Sequence, residues 1–159
     1  MTANEQSLED PELTDWAFEF DSREVINDFG GQTVSSFRTK IAEGGSMDLM
    51  FSYSVISKKG FAHFLPAVDD YARSRDSELD CEFPGSFAHA VGNQLRINPE
   101  AIFSVCEQVE SLSQWIFDNL GKFDQGEDWE QDTSLKLMGI LEVLRQNKRA
   151  EQAMDCNPH

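Results

Sequence analysis

Residues 98–121 read N-P-E-A-I-F-S-V-C-E-Q-V-E-S-L-S-Q-W-I-F-D-N-L-G, and this stretch decides the fold class. Asn98 is a favoured helix cap, Pro99 suits the first helical position, and Glu100 complements the positive end of the helix dipole. Ile102, Val105, Cys106, Val109, Leu112, Ile116 and Leu120 recur at helical spacing, which marks one apolar face. Gly121 is a natural stop, with Lys122 beside the negative end. The spacing predicts one helix over 99–120, about 33 Å long at the usual rise.

Working outward, residues 124–132 read as an acidic loop. A last helix follows over 133–150, with Leu137, Met138, Leu141 and Leu144 on its apolar face. Upstream, Phe61, Phe64, Leu65, Val68, Tyr71 and Ala72 form a helical stripe interrupted by Pro66. That proline either starts a new helix or kinks a continuous one. Residues 75–84 read as a second acidic loop, after which Ser86 can cap a helix carrying Phe87, Val91 and Leu95. Asp21 and Glu24 have capping-box spacing ahead of Val25, Ile26 and Phe29, with Gly30-Gly31 as the stop. A helix over 33–43 buries Val34, Phe37 and Ile41.

Two segments favour extended structure. Trp16, Phe18 and Phe20 alternate with Ala17 and Glu19, as in a short strand or an arm laid on the core. In 48–57, Leu49, Phe51, Tyr53 and Val55 alternate with Ser52 and Ser54, which favours a strand. Leu49, Met50, Tyr53 and Ile56 also fit a helix. The expected fold is mainly α: a compact single-domain helical bundle with at most two short strands. Its globular domain covers 13–150, between a flexible acidic tail at 1–12 and a C-terminal tail at 151–159.

The chain has 159 residues, enough for one core. Twelve Phe and three Trp separate it from a disordered acidic chain, which would be poor in aromatics. Cys81, Cys106 and Cys156 are an odd, widely spaced set, so a disulfide framework is not expected and a cytoplasmic setting is. The first residues have neither a basic nor an apolar signal region. No apolar run approaches the roughly 18 residues of a membrane span.

The net charge of −16 is unevenly distributed. Residues 1–30 hold nine acids against Arg23, residues 69–82 hold six against Arg73 and Arg75, and residues 124–132 hold five and no base. The remainder is close to neutral. Such a chain repels nucleic acid and anionic membranes and attracts basic protein surfaces. Acidic loops also keep proteins soluble, so solvation and recognition both account for them.

In D-Q-G-E-D-W-E-Q-D, Trp129 either anchors an interface or folds back over the start of the last helix. Asp124, Gly126, Asp128, Glu130 and Asp132 stand near calcium-loop spacing. Trp129 occupies the required glycine position, however, and Leu135 that of the closing glutamate.

Motifs for a nucleophile elbow, a phosphate-binding loop and a dinucleotide-binding loop are all missing from the chain. His63, His89 and His159 have no metal-ligand spacing among themselves or with cysteine. No catalytic residue, metal or cofactor is expected. His63 reads as a partly buried, hydrogen-bonded residue, and Cys106 as packing. Arg145, Lys148 and Arg149 complement a helix end rather than form a nucleic-acid patch.

The stretch Gly60-Phe61-Ala62-His63-Phe64-Leu65-Pro66-Ala67, followed by a helix and an acidic loop, resembles the G-F-x-x-[FY]-L-P-A segment of small bacterial domains. Some of these resemble immunity proteins encoded beside secreted toxins. The resemblance covers residues 57–80 and, more loosely, the helix after Asn98. It carries over no functional residue.

The expected function is binding without catalysis: a cytoplasmic immunity protein that occludes the basic cleft of a nuclease-type toxin. The expected contacts are Asp124, Glu127, Asp128, Trp129, Glu130 and Asp132, with Asp76, Glu78, Asp80 and Glu82 as a second patch. The alternative is a phage-encoded inhibitor that mimics DNA against a host defence nuclease or DNA-binding complex. A mimic needs long rows of regularly spaced carboxylates.

Overall fold

A computed structural model describes residues 5–14, 19–123 and 126–156. The helices are α1 (Asp10–Leu13), α2 (Glu19–Phe29), α3 (Val34–Gly44), α4 (Ser46–Tyr53), α5 (Lys58–Arg73), α6 (Phe83–Ile97), α7 (Pro99–Phe103), α8 (Cys106–Asp118) and α9 (Glu127–Asp155). Short 3-10 turns cover Arg75–Ser77 and Leu120–Phe123. No strand forms among the described residues. The mainly α class holds, without the strands. Of the proposed extended arm, Trp16, Ala17 and Phe18 lie outside the described residues, while Glu19 and Phe20 are helical, as the first residues of α2.

Of segment 48–57, where a strand was favoured, residues 48–53 are helical and 54–57 form the connection to α5. The burial pattern explains it: Leu49, Met50 and Tyr53 are buried at helical spacing, Ile56 just beyond them is buried too, and Phe51 is 52% exposed. Ser52 and Ser54, assigned to the outward face of a strand, are buried. Ser52 donates its hydroxyl to Asp28, so a partner on α2 satisfies the buried polar group.

The single helix over 99–120 is broken. At Ser104 and Val105 the chain turns, with Val105 at φ −127° and ψ 33°. Ser104 Oγ lies 3.3 Å from the carbonyl of Ala101, a local bond that competes with helix continuation. The bend lets α7 pack on α5 and α6 while α8 lies along α9. A straight rod could not serve both. Asn98 precedes α7, but its side chain makes no capping bond.

Helix α5 runs unbroken through Pro66. The proline is exposed, and the missing N–H falls on the solvent side where water can satisfy the freed carbonyl. Three expected helix starts shift. Helix α2 begins before Asp21, so the proposed capping box lies inside it. Helix α6 begins at Phe83 with Pro84 in its first turn, ahead of Ser86. Helix α9 begins at Glu127 behind Gly126 and runs to Asp155, past the expected end at 150.

One contiguous core runs from Leu13 to Leu144. Phe29, Phe37, Tyr53, Phe61 and Phe64 stack at one end, with Phe29 and Phe37 centroids 4.4 Å apart. Tyr71, Phe83, Phe87 and Phe123 continue the core toward the other end. The last residue of the expected tail touches the body: Glu12 pairs with Lys59, and its carbonyl accepts from the Ser57 hydroxyl at 2.5 Å. His63 Nε2 lies 3.0 Å from the Gln6 carbonyl oxygen.

Candidate functional site

The two acidic segments adjoin at one end of the molecule. The Leu79 amide donates to the Lys122 carbonyl at 3.2 Å, which joins the 75–82 loop to the turn preceding residue 124. Phe83 and Phe123 pack with ring centroids 5.9 Å apart. A Cβ on Gly85 would meet Thr133 Oγ1 at 3.6 Å, so the starts of α6 and α9 are side by side. Trp129 is four residues before Thr133 and shares its helix face.

Within this end the carboxylates divide into two kinds. Asp76 accepts from Arg38 at 2.7 Å, and Asp80 accepts from the Tyr71 hydroxyl at 2.6 Å and the Phe83 amide at 3.2 Å. These two organise the loop. Asp132 pairs with Lys136 one turn along α9. Glu78, Glu82, Asp128 and Glu130 are exposed. Asp124 lies outside the described residues, and Glu127 is described only as the first residue of α9.

Three side chains brace the loop from behind. Arg38, from α3, bonds Asp70, Ser74 and Asp76 and lies over the Tyr71 ring. Lys122 reaches back to the carbonyls of Ala72 and Ser74 at 2.8 and 2.6 Å and lies over the Trp115 ring. Its partial burial lowers the ammonium pKa. Burial, and then donation to Asp80, hold the Tyr71 hydroxyl protonated well above its ordinary range. Tyr71 thus remains a donor at any physiological pH.

Trp129 is 72% exposed, so the indole does not fold back over α9. A residue missing from the expected set belongs to the other acidic segment, on the loop that bonds to Lys122. Leu79 is also 72% exposed and has φ 68°. Its signal in the sequence was a lone apolar side chain between Glu78 and Asp80. The positive φ carries no sequence signature, because leucine is a rare choice there.

The calcium-loop pattern is dissolved by the helix: Asp128, Glu130 and Asp132 lie at alternate positions of α9, which turns them to different sides rather than around a loop. Among the described residues, no three His, Cys, Asp or Glu side chains cluster to hold a metal ion. No helix there is long and apolar enough to cross a membrane. Comparison with protein-family models, curated proteins and solved structures finds no match for this chain.

Proposed function

We propose that this chain is a binding protein, not an enzyme, and that its acidic end docks a basic protein. The specific form is an immunity-type inhibitor that occludes the nucleic-acid cleft of a nuclease-type toxin. The observation that carries this reading is the adjacency of the two acidic segments, with Glu78, Glu82, Asp128 and Glu130 exposed around Leu79 and Trp129. Clustered charge of one sign speeds encounter with an oppositely charged cleft and rejects like-charged surfaces. Occlusion is favoured over duplex mimicry. Asp76 and Asp80 are committed to Arg38 and Tyr71, which interrupts any regular row of carboxylates.

The test begins with capture of partners by the full chain from the cells that make it. The captured protein should be basic, should cleave nucleic acid, and should be inhibited by one equivalent of the chain. A variant carrying Glu78→Gln, Glu82→Gln, Asp128→Asn and Glu130→Gln should associate at least about tenfold more slowly at low salt. Near about 1 M salt, where screening reaches about 3 Å, it should match the parent. A captured partner without basic character, or a rate at low salt indifferent to the four changes, refutes the proposal.

A further inference from the structure

We infer that Leu79 and Trp129 are paired apolar anchors, and that the partner presents a socket for a leucine side chain inside a rim of lysine and arginine. This rests on the proposed use of the acidic end as a binding face. It adds the contacts that hold the complex once charge has steered it together.

Leu79 contributes little to the fold: most of its side chain is in water. It nevertheless occupies the left-handed region, which a branched side chain enters only under constraint. The constraint is visible on both sides. Before it, Ser77 is buried and donates its hydroxyl to the Ala72 carbonyl at 2.8 Å. After it, Asp80 is held by Tyr71 and by the start of α6. The Leu79 amide itself is held by Lys122. Glycine would adopt this backbone freely, so a leucine here costs stability without burying itself.

Trp129 supplies the second anchor from the first turn of α9, on the face that meets α6. Large exposed aromatic and aliphatic groups ringed by charge are the usual composition of a binding hot spot, with the charges forming a rim. A rim of carboxylates fits a cationic rim on the other side. That complementarity selects a basic protein over a second copy of this chain, whose matching end would carry the same charge. Because the loop is already fixed, little conformational freedom remains to be lost on binding.

The test compares Leu79→Gly, Trp129→Ala, the four-carboxylate variant and Phe51→Ala, which removes an exposed ring from α4. Each is immobilised as the full chain, and capture of the basic protein is quantified at low and at high salt. The expected result is at least a tenfold loss for Leu79→Gly and for Trp129→Ala at both salt concentrations. Phe51→Ala should lose nothing, and the four-carboxylate variant should lose capture at low salt only. The melting temperature of Leu79→Gly should be unchanged or higher.

Capture indifferent to Leu79→Gly but sensitive to the carboxylates overturns the anchor and leaves the charge reading standing. Sensitivity to both Leu79→Gly and Trp129→Ala, without sensitivity to the carboxylates, supports the anchors and removes the charge reading, whereas indifference to Trp129→Ala overturns the pairing. Capture of a second copy, of a nucleic acid or of no basic protein overturns both. A lowered melting temperature in Leu79→Gly assigns the leucine to the fold and overturns the anchor.

Discussion

Replacing Arg38 with methionine should loosen the 75–82 loop while leaving the helices around it in place. Methionine keeps the aliphatic stem that packs beneath the guanidinium, so the change removes polar contacts and little volume. Three hydrogen bonds disappear: to Asp70 and Asp76 at 2.7 Å each, and to Ser74 at 2.9 Å. Asp70 and Asp76 are 71% and 57% exposed, so solvent screening limits each ion pair to below about 1 kcal/mol. The Ser74 bond is worth about 1 kcal/mol, and the guanidinium over Tyr71 adds about 0.5–1 kcal/mol. The total is about 2–3 kcal/mol, which lowers the melting temperature of a chain this size by about 5–10 °C. Thermal melts followed by circular dichroism measure the global change. Hydrogen exchange at the Leu79 amide measures the local one, because that donor depends on the loop staying against Lys122. A shift below about 1 °C, or a Leu79 amide as protected as in the parent, would refute the bracing role given to Arg38.

Two further predictions follow from the helices. Glu110 receives Lys148 at 2.5 Å and Arg145 at 3.5 Å, and the hydrogen bond from Lys148 leads in holding its carboxyl below the usual glutamate range. A depressed carboxylate stabilises the fold above its unfolded pKa, near about 4.3, and that stability is lost as pH falls through the lower folded value. Glu110→Gln should cost on the order of 1 kcal/mol at neutral pH, and urea titrations at falling pH, below about 4.3, should bring the two proteins progressively together; a gap that does not narrow would remove the linkage. Gly60→Ala places a Cβ 2.6 Å from Ile56 Cγ1, whereas the same change at Gly92 meets open space. Gly60→Ala should lose about 1–3 kcal/mol and Gly92→Ala gain about 0.5–1 kcal/mol, and a reversed order in denaturant midpoints would contradict the packing described.

Helix content was legible because apolar spacing fixes which faces are buried, and most core positions fall where that spacing puts them. Segment 48–57 misled because its serines look outward-facing in sequence. Ser52 is buried against Asp28, a partner that only the tertiary fold supplies. The bend at Ser104–Val105 was hidden for a related reason. The apolar stripe on either side is continuous, and the choice between one long helix and two short ones depends on where α5, α6 and α9 stand. The acidic segments were plain from composition alone. Their adjacency was not, since it rests on a backbone bond between Leu79 and Lys122 and on the Gly85–Thr133 contact. Composition likewise could not separate Asp76 and Asp80, which organise the loop, from Glu78 and Glu82.

The length of α9 bears on oxidation. Cys81 lies in the acidic end, whereas Cys156 caps the far end of α9, and both thiols are exposed. From Thr133, beside the acidic end, to Cys156 the helix covers about 35 Å. A disulfide needs its two Cα atoms within about 7 Å, so these thiols can never close a ring within one molecule. An oxidant would couple exposed thiols of different molecules, Cys81 or Cys156 of one with either thiol of the next. With two such thiols on each molecule, oxidised material should run as a ladder of linked chains that collapses on reduction.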